Sequence, residues 1–419
     1  MAAATYTPTV GSDLDKIWRK IQTGVYQGTK FMSEEWEQMD ELKTFDVNWS
    51  SREILVPLDI NKGYGIASIA EGGKEARPSS PNASELTLTW ILLNGRFTVS
   101  NTSHYIQQKT PAAMVEKQMK YQAAKKVQAF GEAYSDMFYG YTTAYLARTS
   151  TDATQANGVY TIDQGYDGTV TDGTFICSKF KVGEYVALIR SADIVANAIG
   201  VITAVTPGTP SLTITWAGSV NSDASDYIVK ANSLENTTVA GTDYSRGLVG
   251  LLDILKTASV HGLSSSSIAD WSAGFSDTTG GRLTGTRLRK ACQDIKNAGG
   301  GKVDRCYIAQ GVLRDMESNS LAAVRYSDTS GMQIDGSVKM SNIKWHDTER
   351  VPPGYAIPVV SKSLRKMTLL PKPDSGQQIW ADGDKIQDVS GRVFSMDFPV
   401  ANVCLNRGNT GYFSGLTEV

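Results

Sequence analysis

The chain has 419 residues, enough for a sizeable core and two to four domains or subdomains, and its 41 lysines and arginines nearly balance 43 aspartates and glutamates, a formal charge of −2. Tight nucleic-acid binders carry a basic excess or stripe, so any contact with nucleic acid is expected to be weak, non-specific and salt-sensitive. No apolar run reaches the ~20 residues of a membrane span, and the start MAAATYTPTV has neither the basic residues nor the apolar stretch of a secretory signal, so synthesis in a cytoplasm is the natural reading.

Residues 1–50 read as a helical, partly extended arm. Asp13–Gln22 and Ser33–Leu42 carry short helix patterns, and Ser33 followed by Glu34 and Glu35 makes an N-cap with an acidic first turn. Trp18, Trp36 and Trp49 crowd a region too thin to bury them alone. Tryptophan is enriched where protein surfaces meet, so Trp18 and Trp36 are candidate inter-subunit contacts; docking onto the parent domain is the other reading.

Residues 52–148 predict a long two-stranded arm running into a long helix. The first strand is Glu53–Ile60. The return strand starts near Leu86, where Leu86, Leu88, Trp90 and Leu92 alternate with polar or small residues, the period of a half-buried strand. Between them the glycine- and proline-bearing connection Asn61–Ser84 is longer than a compact domain normally tolerates. It holds Tyr64, Ile66 and Ile69 with little local structure to bury them, so these three are candidate contacts with another copy of the chain.

Pro111 stands where a helix can begin, because its missing N–H would be unpaired there anyway. Val115, Met119, Ala123, Val127, Phe130, Tyr134 and Met137 then recur at steps of three and four, which keeps them on one helix face. No proline interrupts the run to Arg148, a span of roughly 50 Å at about 1.5 Å per residue. Such a rod suits the backbone of an elongated subunit, or a plain core helix.

Residues 150–172, rich in Thr, Gly and Asp, read as a linker or loop. Strands at Glu184–Arg190, Ala198–Thr206, Ser211–Trp216 and Asp226–Lys230 predict a compact β-barrel over about 175–232. From Tyr244 the pattern is mixed α/β: a buried helix in Gly247–Ala258, and an amphipathic one from Thr284 that stops at Gly299–Gly301. A strand at Cys306–Ala309 and a helix near Gly311–Ser318 follow, then strands at Ile343–His346, Ala356–Val360, Met367–Leu370 and Arg392–Phe398.

Catalytic constellations are missing from the pattern. Ala298–Lys302 superficially looks like a phosphate loop, but its helix precedes the glycines and Val303 replaces the magnesium-binding hydroxyl, so it reads as a helix stop. Asp382-Gly383-Asp384 lacks the other oxygen ligands of a calcium loop. The histidines His104, His261 and His346 are isolated, and Cys177, Cys292, Cys306 and Cys404 form no C-x-x-C pair, which argues against a zinc site or a triad. Carboxylates are plentiful, yet nothing marks two as a glycosidase pair. The basic residues Arg287, Arg289 and Lys290 read as a solvated helix face. No catalytic, cofactor-binding or metal-binding residue is assigned.

The order of these parts resembles the major capsid protein of tailed double-stranded DNA phages, whose fold is named after phage Hong Kong 97. The loose similarities are Phe180–Glu184 (FKVGE), Gly247–Asp253 (GLVGLLD), Leu283–Gly301 (LTGTRLRKACQDIKNAGGG) and Gly411–Leu416 (GYFSGL). The resemblance implies an α+β fold: an N-terminal arm (1–51), an extended β-hairpin loop clasping a neighbour (52–110), the spine helix and first part of the peripheral domain (111–172), and an inserted small β-barrel (173–233). The axial domain (234–358) and a returning peripheral sheet with the C-terminus (359–419) complete it. It also implies self-assembly into hexamers and pentamers of an icosahedral shell around the viral DNA. Portal protein, a separate scaffolding protein and decoration protein are the implied partners. Assembly in host cytoplasm, a virion location, no cofactor, no membrane and no enzymatic activity complete the expectation. Lys62 and Lys74 lie in the loop, but no motif supports a crosslink. The alternatives are an encapsulin-like nanocompartment shell, a β-rich ligand-binding or adhesion protein built on the 175–232 unit, and an unrecognised hydrolase.

Overall fold

The structure, a computed structural model, describes residues 33–42, 46–48, 53–61, 82–88, 90–100, 112–141, 145–149, 153–165, 172–189, 196–222, 226–231, 247–266, 268, 271–324, 343–368, 384–385 and 391–418. In chain order the elements begin with α1 (Glu34–Gln38), β1 (Asp40–Glu41), β2 (Asp46–Asn48), β3 (Glu53–Asn61), β4 (Asn82–Leu88), β5 (Ile91–Ser100) and α2 (Ala112–Phe138). Next come β6 (Ala147–Thr149), β7 (Ala153–Gly165), α3 (Gly173–Ser178), β8 (Tyr185–Ile189), β9 (Ala196–Thr206), β10 (Ser211–Ser222) and β11 (Tyr227–Lys230). Then follow α4 (Leu251–Lys256), β12 (Ser259–Val260), β13 (Leu263–Ser264), β14 (Phe275–Asp277), α5 (Gly285–Gly299), β15 (Arg305–Ile308) and α6 (Gln310–Val324). The last are β16 (Lys344–Asp347), β17 (Ala356–Val359), β18 (Leu364–Thr368), β19 (Asp384–Lys385), β20 (Gly391–Cys404) and β21 (Gly411–Phe413).

These elements gather into two compact units, each assembled from segments far apart in sequence. The first takes Met1–Glu41, Trp90–Ser135 and Lys366–Ala401. Its sheet runs β1-β18-β20-β19, with β5 also paired to β20. The β5–β20 ladder is antiparallel, from Ile91 opposite Val400 to Ser100 opposite Gly391. Over it lies α2, whose Phe130 and Tyr134 are buried as their spacing predicts, with Phe130 against Gly95 of β5. Ser33 caps α1 as expected, its Oγ accepting from the Trp36 N–H at 3.1 Å.

The second unit holds Leu42–Thr89, Asp136–Arg365 and Asn402–Val419. β3 pairs with β4 from Ile54–Leu88 out to Asn61–Asn82, and β2 adds a third strand. A five-stranded sheet has the order β14-β21-β17-β15-β16. Phe138, Tyr139 and Tyr307 meet edge to face at centroid distances of 5.0, 5.6 and 5.8 Å. Gly250 precedes α4 with its backbone pressed on another strand of backbone; a Cβ there would stand 2.2 Å from the Gly140 carbonyl oxygen. Helix α5 starts on the Thr284 cap and stops at Gly300, whose φ of 74° is the left-handed cap conformation that favours glycine.

A closed six-stranded barrel, β10-β7-β6-β11-β8-β9, belongs to the same unit. Tyr160, Ile162, Leu188, Ile202, Leu212, Ile214 and Ile228 are fully buried, and Trp216 Nε1 donates to the Tyr160 hydroxyl at 2.6 Å. The Asp172 carboxylate caps α3 by accepting from the Thr174 and Phe175 N–H groups.

Four expectations need correction. The run Leu86–Leu92 is not one strand: β4 ends at Leu88 and pairs with β3, whereas β5 starts at Ile91 and pairs with β20, leaving Leu92 49% exposed. The long helix ends at Phe138, ten residues before Arg148, and just beyond its end the Gly140 carbonyl lies against Gly250, where no Cβ would fit. Residues 153–165, read as linker, form the barrel strand β7, and the barrel begins at Ala147 rather than near 173. The helix placed in Gly247–Ala258 occupies Leu251–Lys256 alone.

Candidate functional site

Among the described residues, Arg287, the glycines after α5 and the cysteines are taken up by packing and hydrogen bonding. Arg287 is not part of a solvated face. Its guanidinium donates to Asp277 Oδ2 at 2.7 and 3.2 Å and to the carbonyls of Gly280 and Arg282, while Arg289 and Lys290 stay exposed. Burial pushes the Asp277 carboxyl up, but hydrogen bonds from Thr279 and Arg287 outweigh it and hold it at about 2. The glycines Gly299–Gly301 end α5, and Gly299 and Gly301 pack on Asn409, whose Oδ1 accepts from the Gly301 N–H at 2.9 Å. Burial raises all four thiols, Cys404 to about 12, so none is poised as a nucleophile. Among the described residues no group of three His, Cys, Asp or Glu side chains is placed to hold a metal ion. Asp382, Gly383 and His104 lie outside the described residues.

Two buried residues that sequence reasoning passed over organise the base of the β3–β4 arm and its surroundings. His261 and Gly262 are the two-residue turn between β12 and β13, with φ of 54° and 77°. That turn demands left-handed backbone at both positions. The His261 carbonyl accepts from the Thr87 N–H of β4 at 2.9 Å, and its Nε2 accepts from the Cys404 N–H at 3.2 Å. The proton of the neutral ring therefore sits on Nδ1. Burial first, and the Arg407 charge second, lower its pKa to about 4. Arg407, 2% exposed, donates to three carbonyls: Ile254 (2.7 Å), Thr257 (2.8 Å) and Trp271 (3.0 Å). Two of them lie at the C-terminal end of α4, where helix carbonyls lack partners and attract cations. A cavity of about 200 Å³ beside this cluster is lined by Thr87, Asp253, Thr257, Ser259 and His261. The sequence held one signal, the His-Gly dipeptide between two short polar-apolar pairs.

Of the proposed inter-subunit residues, Trp18, Tyr64, Ile66 and Ile69 lie outside the described residues. Trp36 is 5% exposed. Its ring sits edge-on to Tyr134 at 5.0 Å and Phe398 at 5.6 Å, with the Lys366 ammonium over its face at 4.9 Å. It docks onto its own unit, which leaves little of the indole for a neighbour. At the arm's base Ile54, Val56, Leu86 and Leu88 are buried within the chain, while Pro57 and Glu85 face solvent.

No family model and no curated protein sequence matches the chain. In structure the chain is similar to a chain of the cyanophage A-1(L) capsid asymmetric unit, at 10% identity and a TM-score of 0.50, covering 87% of this chain and 88% of that one. It is similar to a chain of Mycobacterium phage Bobi at 10% identity and 0.42, covering 92% and 91%. The holo-SrpI encapsulin complex from Synechococcus elongatus PCC 7942 follows at 7% identity and 0.40, covering 90% and 85%. The chain has the α+β fold of a phage capsid chain, the fold named after phage Hong Kong 97.

Proposed function

We propose that this chain is the major capsid protein of a tailed double-stranded DNA phage, closing with its copies into the hexamers and pentamers of an icosahedral head. The observation that carries this reading is the fold shared with a cyanophage capsid chain over 87% of the sequence. The β3–β4 arm supports it. Its base is locked into the chain's own core through Ile54, Leu86, Leu88 and the Thr87–His261 hydrogen bond, and in this reading the connection 62–81 between those two anchored strands is the clasp.

The mechanism is assembly without bond chemistry. Obligate interfaces bury upward of about 2,000 Å², and a subunit that clasps several neighbours exceeds that by summing individually modest contacts. A formal charge of −2 suits a wall that neither binds nor strongly repels packaged DNA. Portal, separate scaffolding and decoration proteins are the partners this role calls for, in the host cytoplasm during assembly and in the virion afterwards.

Electron microscopy of purified, concentrated protein tests the proposal. Closed shells are expected; a monodisperse monomer at every concentration overturns it. The cargo separates the second shell reading: particles from infected cells that enclose enzymes in place of nucleic acid, and lack a portal vertex, identify a nanocompartment.

A further inference from the structure

Charge is spread unevenly along this near-neutral chain. Residues 285–302, which are α5 and the loop that ends it, hold five lysines and arginines against one carboxylate. Arg287 is engaged with Asp277. The other four, Arg289, Lys290, Lys296 and Lys302, are exposed, and their side chains make no ion pair or hydrogen bond with the described residues. The helix sorts them. Leu288, Ala291 and Ile295 form its buried stripe, so the opposite side carries Thr286, Gln293 and Asn297 along its middle. Arg289 and Lys296, seven residues and about 10 Å apart, line one flank of that side, and Lys290 lines the other. The single carboxylate, Asp294, is half-buried at the margin, one turn beyond Lys290.

The chemistry of this face selects its partner. Protein interfaces are held by apolar or aromatic anchors near their centre. The exposed large apolar side chains among the described residues are Leu92, Tyr121, Val159 and Val182, none of them on α5. A nucleic-acid single strand is gripped by aromatic rings on which its bases stack, and α5 has no aromatic residue. A duplex backbone needs neither. It offers one negative charge per ~1.7 Å of axis, about six along the row from Arg289 to Lys296, and accepts from cations and from neutral donors such as Gln293 and Asn297 alike. The chain's own acidic stretch, Glu34–Glu41, is the rival occupant, but it is already met from within. The Lys366 ammonium stands by Glu41, Glu37 and Asp40, and Gln38 donates to Glu34 at 2.8 Å. Four cations give weak, sequence-independent binding with a steep salt dependence. Many copies holding on weakly would restrain a duplex without fixing it.

We propose that the exposed face of α5, with Lys302 beyond its end, is the surface on which this chain meets the phosphate backbone of duplex DNA. This rests on the shell reading above, in which the duplex is the packaged genome. The test measures fluorescence anisotropy of a labelled 30-base-pair duplex with unassembled full-length chain across a salt series, and electron microscopy of the same proteins after assembly. For wild type, log K should fall with log salt at a slope of about −3 to −4, from four phosphate contacts. Arg289→Gln with Lys296→Gln should bring the slope to about −2 and weaken binding about tenfold at low salt, with thermal melting and shell formation unchanged. Lys125→Gln, on α2 of the other unit, should change none of these. An equal loss from Lys125→Gln, or wild-type binding by the double variant, overturns the inference and leaves the shell reading intact. A double variant that binds the duplex like wild type yet forms no shells also overturns it, and makes the face a contact between copies. Failure of the wild-type chain to form shells overturns the shell reading and the packaged-genome role with it.

Discussion

His261 and Arg407 show how much of this fold rests on single buried polar groups. The His261 ring is neutral first because burial disfavours its charged form and second because the Arg407 charge lies nearby; protonation would also cost the acceptance from the Cys404 N–H. Its pKa falls from 6.5 unfolded to about 4 folded, so between those values the unfolded chain takes up the proton first. Stability is therefore full above pH 6.5 and falls by about 3 kcal/mol as the pH drops to about 4. Urea unfolding at pH 7 and pH 4.5 should show that loss, and His261→Asn, which tolerates the left-handed backbone, should flatten the slope in this window. The Arg407 charge is met by three carbonyl dipoles. Arg407→Met strands those carbonyls in the core and should cost about 3 kcal/mol, read as a fall in the thermal midpoint; Arg407→Lys should recover little, since an ammonium cannot span the three positions.

Elements legible in the sequence were those whose ends carry local signals. Ser33 and Thr284 cap their helices and Gly300 stops α5 where each was expected, because caps depend on neighbours a few residues away. On α2 the burial of Phe130 and Tyr134 was legible from spacing, whereas Val127 and Met137 of the same series are only half-buried and Phe138 is buried outside it; Phe130→Asp tests the packing. A carboxylate placed against Gly95 and β5 should cost more than about 3 kcal/mol, enough to abolish a cooperative melt. The end of α2 was not legible, since the backbone that packs against it at Gly140 comes from Gly250, more than a hundred residues away. Gly250→Ala should destabilise the subunit by about 1–3 kcal/mol, because the added methyl meets backbone that cannot swing aside. Strand β7 was hidden by its Thr-, Gly- and Asp-rich surroundings, although Val159 out, Tyr160 in, Thr161 out and Ile162 in is plain alternation. Composition outweighed period there.

At the scale of the whole molecule, the interleaving of the two units explains why a subunit can be folded and yet incomplete. Each unit is assembled from segments distant in the chain, and the buried core of the second includes residues on both sides of the arm, such as Ile54 and Leu88. Deleting Lys62–Pro81 and joining β3 to β4 with a tight turn should leave a monomer with unchanged melting that forms no shells. Normal shells from that variant, seen by electron microscopy, would contradict the clasping role. The sequence alone determined the parts and their order: near-neutral charge, the arm, the long helix, the β unit and the mixed region, all written in composition, period and cap residues. Tertiary structure decided which strand pairs with which, so that Leu86 and Leu92 serve different sheets, residues 153–165 close a barrel, and Trp36 turns inward onto Tyr134 and Phe398. The reason is physical: a strand's period names its two faces but not its neighbour, and partners are chosen by burial between residues that the chain holds far apart.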